Sequence, residues 1–131
     1  MAHAIVEWTA NLEEDGFMAR PLLELIAGTM RNAGGVFPVG GIRVRGVRVT
    51  DYVIADDAGE DAFINIEVKM GAGRPAEFRK SFFDGLFDAI RADLGDLFER
   101  RPLALSLYVT EADEDGSWKY NTIHRRLKGA D

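Results

Sequence analysis

Apolar residues along the chain recur either every second position or every third and fourth, and the switches between these regimes mark the elements. Residues 4–8 include Ile5 and Val6 and are largely apolar on both parities, which predicts a central strand covered on both faces. Glu13, Glu14, Asp15 and Gly16 then read as a solvated acidic turn. From Phe17, Leu22, Leu23, Ile26 and Met30 follow helical spacing. Pro21 suits a first turn, and Asn32 with Gly34 and Gly35 supplies a stop. Ile42 and Val44 next share one strand face while Arg43 and Arg45 share the other. Beyond Gly46 the parity inverts, with Val47 and Val49 apolar and Arg48 and Thr50 polar. A β-bulge at Gly46 would restore a single apolar face.

The second half repeats the order. After a polar turn at 56–60, residues 63–70 alternate with Ile64, Ile66, Val68 and Met70 inward and Asn65, Glu67 and Lys69 outward. Gly71-Ala72-Gly73-Arg74-Pro75 breaks that strand. Phe78, Phe82, Leu86, Ile90, Leu94 and Leu97 then predict one helix reaching about Arg100. Beyond Pro102, Leu103, Leu105, Leu107 and Val109 alternate as a strand. An acidic turn at 111–116 leads to a tail at 117–128, with Trp118, Tyr120 and Ile123 as its expected anchors. The expectation is one α+β domain over 1–131, with halves 1–56 and 57–131 each a βαβ unit. It should form a mixed four-stranded sheet with two helices on one face. Two helices cover one sheet face only, so association of copies through the other is the economical solution.

Composition narrows the chemistry. The 131 residues are 47% apolar and 29% charged, with a formal charge of −6, which argues against nonspecific nucleic-acid binding or attachment to an anionic membrane. A local pocket of positive charge remains compatible with that balance. Cysteine is absent, which excludes disulfides, thiolate nucleophiles and cysteine-ligated metals, and neither His3 nor His124 has a carboxylate at a familiar ligand spacing. The apolar runs are too short for a membrane span and the start lacks a signal-peptide pattern, so a cytoplasmic, soluble protein is expected.

Two features are candidates for ligand chemistry. Gly71-Ala72-Gly73 lacks the third glycine of a dinucleotide fingerprint. It either forms a plain strand-to-helix turn or offers backbone N–H groups and Arg74 to an anion at a helix N-terminus. Arg43 and Arg45 lie either on a solvated strand edge or, together with Arg74, in a carboxylate-binding pocket. Ser81 and Ser106 read as structural, and His124 as a surface or interface residue.

Several ordered blocks carry a resemblance. The start Met-Ala-His-Ala-Ile-Val-Glu, Gly35-Val36-Phe37-Pro38 leading to Gly41-Ile42-Arg43-Val44-Arg45, and Lys69-Met70-Gly71-Ala72-Gly73-Arg74 are three of them. Leu103-Ala104-Leu105-Ser106 and Lys119-Tyr120-Asn121 to His124 complete the set. Together they resemble the 5-carboxymethyl-2-hydroxymuconate Δ-isomerase family of the tautomerase superfamily, over nearly the whole chain. The resemblance implies a homotrimer and a proton transfer within an unsaturated di- or tricarboxylate during homoprotocatechuate degradation, with no cofactor or metal. It implies Arg43 and Arg74 as catalytic anion clamps, with Arg45 and Phe37 also at the substrate. In the family an N-terminal proline is the base; here residue 2 is Ala2, whose amine is free only if Met1 is removed. A trimeric carboxylate-binding protein without turnover, or a lyase or hydratase of the same fold, are the competing expectations.

Overall fold

Period-two alternation in the third strand sets the plan of the core. In the computed structural model, which describes residues 1–128, strand β3 (Ala62–Gly71) buries Ala62, Ile64, Ile66, Val68 and Met70. Strand β1 (Ala2–Thr9) runs antiparallel beside it, with Ala2 opposite Met70 and Val6 opposite Ile66, so Ala2, Ala4 and Val6 join the same buried face. Strand β2 (Ile42–Val49) pairs in parallel with the other side of β1, and β4 (Leu103–Ala112) in parallel with β3. The sheet order is β2-β1-β3-β4.

Each parallel pair needs a crossover, and helices supply it. Helix α1 (Ala19–Arg31) joins β1 to β2, and α2 (Ala76–Asp93) with α3 (Gly95–Arg100) joins β3 to β4. Leu22, Ile26 and Met30 of α1 and Phe83, Leu86 and Ile90 of α2 are buried in one cluster with the inward strand residues. Each such side chain contributes about 1.5–3 kcal/mol relative to leaving it exposed. A mixed four-stranded sheet with its helices on one face is the architecture that the element order predicts.

Several local expectations are corrected. The single helix expected to reach Arg100 is two: Leu97 N–H donates to Leu94 O at 2.9 Å, a tighter turn that redirects the chain at Gly95. Leu94 and Leu97 stay buried through the break, so apolar spacing does not register it. The bulge at Gly46 is absent, because β1 and β2 pair one-to-one from Ala2–Ile42 to Thr9–Val49. Gly46 instead marks a close approach: a Cβ there would lie 2.7 Å from Cζ3 of Trp8. Without the bulge Val47 faces outward with Arg43 and Arg45, 43% exposed.

The acidic segment is not a solvated turn but a 3-10 helix, Ala10–Asp15, whose carboxylates are paired. Glu13 accepts from Arg48 Nε at 2.7 Å and from the Trp8 indole at 3.1 Å. Arg101, with a side chain only 7% exposed, donates to Asp15 at 2.6 Å, to Glu14 at 3.1 Å and to the Glu60 carbonyl at 3.1 Å. These bonds tie the end of β1 to β2 and to the junction between α3 and β4.

Strand β1 is covered on one face only; its other face presents His3, Ile5 and Glu7, all partly exposed. That uncovered sheet face is mixed in character. Ser106 Oγ donates to Asn65 Oδ1 at 2.7 Å, and Asn65 Nδ2 donates to Glu7 Oε1 at 3.3 Å. The tail also differs from expectation, since Trp118 and Tyr120 are 88% and 89% exposed and anchor nothing within the chain.

Replacing Gly46 by Ala forces a methyl group into the Trp8 ring and should destabilise the fold by about 1–3 kcal/mol. Urea unfolding should show this as a lower midpoint, relieved when Trp8→Leu is added. An unchanged midpoint for Gly46→Ala would mean that the Trp8 contact does not constrain the strand.

Candidate active site

Strand directions bring four chain segments to one end of the sheet. There β1 and β2 begin, while β3 and β4 end, with Ala2 beside Ile42 and Met70, and Gly71 beside Ala112. A cavity of about 450 Å³ opens at this end, lined among others by Met1, His3, Arg43, Lys69, Gly71 and Lys119. Among the described residues no Asp or Glu lines it. In a chain of net charge −6, this end concentrates the opposite sign.

Arg43 is held at the mouth of β2. Its Nη1 donates to the Gly41 carbonyl at 3.2 Å and contacts Met1 Sδ at 3.3 Å. The Met1 α-amine is pushed below its ordinary value of 8.0, first by burial and then by the charges of Lys119, Arg74 and Arg43. All four causes disfavour the ammonium form, so the amine is biased towards the neutral base.

Arg74 bridges two loops. Its Nη1 donates to Gly71 O and its Nη2 to Val36 O, both at 2.8 Å, and its guanidinium carbon lies 5.2 Å from the centre of the Phe37 ring. Gly73 just before it has φ +113°, a backbone region that favours glycine and lets Arg74 fold back towards β3. Phe37 is 1% exposed and packs on Phe78 and Phe82, so it forms the floor under Arg74 and does not line the cavity. Pro75 caps α2, and the Ala72 N–H bonds the Ala112 carbonyl, extending the sheet.

Arg45 takes a different direction. It projects onto the uncovered sheet face, where its Nη1 lies 3.3 Å from His3 Nδ1, and it lines a neighbouring cavity of about 370 Å³ with Ile5, Glu67 and Thr110. His3 borders both cavities. Its imidazole is held below the ordinary 6.5 by burial, then by Arg45, Arg43, the terminal amine and Lys69.

The tail closes the site from outside. Asn121 Nδ2 donates to Gly40 O at 2.8 Å and lies 3.3 Å from His124 Nε2, while Asn121 Oδ1 accepts from the Ile123 N–H at 2.9 Å. A Cβ on Gly40 would sit 2.5 Å from His124 Nδ1, so only glycine admits the ring. Asn121 and His124 therefore anchor the tail in place of Trp118 and Tyr120, which border the cavity. Of the sequence candidates, Ala2 (2% exposed), Arg43 and Arg74 gather at this end, Arg45 turns aside, and Ser81 lies exposed on α2. His3, Lys69 and Lys119 were not singled out by spacing. All three lie within blocks of the resemblance; strand register brings the first two to this end and the tail brings Lys119. Among the described residues no group of three His, Cys, Asp or Glu stands together to hold a metal, and no helix is long and apolar enough to cross a membrane.

Tandem βαβ units that place the chain's terminal amine at the start of a central strand, with Arg43 in the same cavity and Arg74 close by, define the class as a tautomerase-superfamily fold. The model of the 5-carboxymethyl-2-hydroxymuconate isomerase family matches residues 2–127, and the chain belongs to that family. It is 34% identical over 128 residues to the 5-carboxymethyl-2-hydroxymuconate Delta-isomerase of Escherichia coli, covering 98% of this chain and 100% of that protein. A crystal structure of a 5-carboxymethyl-2-hydroxymuconate isomerase from Deinococcus radiodurans R1 superposes with a TM-score of 0.89 at 37% identity, over 96% of this chain and 93% of that one. A member of the cis-3-chloroacrylic acid dehalogenase family shares the fold at a TM-score of 0.59 and 16% identity, over 92% of this chain and 81% of that one.

The His3 environment yields a direct test. In an NMR titration the His3 imidazole should titrate below 6.5, and Arg45→Ala should move its midpoint upward by removing the largest charge cause. A midpoint that ignores Arg45→Ala would contradict the contact.

Proposed function

We propose that the protein is a cytoplasmic isomerase that moves a proton within an unsaturated 2-hydroxy or 2-oxo polycarboxylate, 5-carboxymethyl-2-hydroxymuconate being the candidate substrate. The observation that carries this reading is the cavity at the start of β1, where an amine of lowered basicity lies among cations and no acid among the described residues intervenes. The E. coli relative's name supplies the substrate class. The terminal amine takes the 2-hydroxyl proton of the muconate dienol, leaving a conjugated dienolate. Arg43 holds a carboxylate, and the guanidinium charges of Arg43 and Arg74 stabilise the developing oxyanion. The ammonium then returns the proton further along the conjugated chain, so atoms and charge balance. Arg74, fixed by two carbonyls and supported by Phe37, acts chiefly as a preorganised charge. Arg45 adds positive charge beside His3.

Removal of Met1 would make Ala2 the terminal residue, and its primary amine the base. A base must be within hydrogen-bond reach and correctly protonated. Proline fixes its nitrogen against the backbone, whereas an Ala2 amine rotates, so catalysis by the natural sequence should be weak. Ala2 is also the observation that favours the second reading, a carboxylate-binding protein of the same fold without turnover.

With Met1 shown by intact mass to be absent, Ala2→Pro should raise turnover of 5-carboxymethyl-2-hydroxymuconate, followed by ultraviolet absorbance. General-base catalysis is typically worth about 10²–10⁴-fold, so restoring even part of it exceeds assay error. A correctly processed, folded Ala2→Pro protein that is inert would refute the substrate assignment and leave the binding-protein reading.

We further propose a homotrimer joined through the uncovered sheet face and the edge strand β2. The support is a sheet face that no helix among the described residues covers. Sedimentation equilibrium should give three times the chain mass at micromolar concentration; a stable monomer would contradict this assembly.

A further inference from the structure

The tail between 117 and 122 has no regular structure, yet it is fastened to the loop that delivers Arg43. Asn121 bonds Gly40 O, and the His124 ring lies against the Gly40 backbone. Two residues before this latch, Lys119 lines the cavity that Arg43 and Lys69 line from β2 and β3. The three cations come from three separate elements. Among the described residues none of them is ion-paired within the chain. Arg74, by contrast, has both terminal nitrogens occupied by backbone carbonyls. Among the described residues the Lys and Arg side chains that line the cavity free of an ion pair are therefore Arg43, Lys69 and Lys119.

Resting on the isomerase reading above, we infer that Lys119 binds a third carboxylate of the ligand and so makes the site selective for tricarboxylates over dicarboxylates, with Asn121 as the positioning residue that holds its strap. A lysine suits this role because its ammonium is a compact charge with three donors on a flexible stem, able to meet a carboxylate on a branch of the ligand. Selectivity also follows from the empty partner position. A dicarboxylate satisfies Arg43 and Lys69 and leaves Lys119 solvated at no penalty, whereas a tricarboxylate gains one further charge-assisted contact.

The test uses ligands that cannot react, so binding is read apart from catalysis. Isothermal titration of the full chain with pentane-1,2,5-tricarboxylate, and with adipate, which lacks the carboxymethyl branch, should show tighter binding of the tricarboxylate. Lys119→Ala should weaken the tricarboxylate by about 10- to 100-fold and leave adipate within about twofold, collapsing the preference. Lys119→Arg should retain most of it. Asn121→Ala should lower the same ratio with the cavity cations intact. A wild-type protein without preference, or a Lys119→Ala variant that loses both ligands equally or neither, overturns the proposal. Failure to turn over the muconate while the preference persists would instead refute the isomerase reading and leave the Lys119 assignment standing.

Discussion

Placing the first strand at the centre of the sheet is the constraint on which everything else rests. An N-terminal strand at an edge would leave its first residue free to fray. Here Ala2 is flanked by Ile42 on one side and Met70 on the other, and its side chain is buried. The chain start is therefore fixed to the accuracy of a strand ladder. The antiparallel β1–β3 pair and the two parallel pairs then dictate which other ends arrive beside it. Arg43 comes from the beginning of β2, and Lys69 and Gly71 from the end of β3. The position of the terminal amine is a consequence of topology before it is a consequence of any side chain.

Charge is sorted along the sheet. At the far end of β1 the carboxylates of Glu13, Glu14 and Asp15 are neutralised by Arg48 and Arg101, making a structural clamp. At the near end Arg43, Lys69 and Lys119 surround a cavity with no acid among the described residues on its walls. Bringing like charges together costs electrostatic energy that the fold must offset. The buried strand pairs and the Asn121–Gly40 latch hold these groups in place, and an anionic ligand would relieve the repulsion. An acidic protein with a cationic pocket selects anions at that one place and repels them elsewhere.

Much of the architecture was legible because it rests on local periodicity. The alternation of Ile64, Ile66, Val68 and Met70, the helical spacing of Leu22, Ile26 and Met30, and the repeated element order each have one physical reading, and each is met. Misreadings arose where a tertiary contact decided the outcome. Gly46 looked like a bulge because parity inverts there, but the Trp8 ring explains it, and no one-dimensional pattern shows which ring crosses which glycine. Gly95 breaks a helix whose buried leucines keep their spacing. The acidic turn found partners in Arg48 and Arg101, which are far away in sequence. At the site, Arg43 and Arg74 stood out as cations on a strand face and at a helix start, while the convergence of Lys69 and His3 depends on strand register and that of Lys119 on a tail whose anchors are a polar pair. Trp118 and Tyr120 drew attention as large apolar side chains, yet hydrogen bonding to the Gly40 carbonyl does the anchoring.

The central claim is that topology places a terminal amine in a positive field that lowers its basicity. It is tested most directly by titrating that amine itself. Acylation of the intact protein by an amine-selective reagent across a pH series, read by mass on the N-terminal peptide, gives its midpoint and shows which residue carries it. A midpoint below 8.0 that rises in Lys119→Ala is the predicted result, because burial and nearby cations disfavour the ammonium form. A terminus that titrates at 8.0 or above and is indifferent to Lys119 would contradict the account.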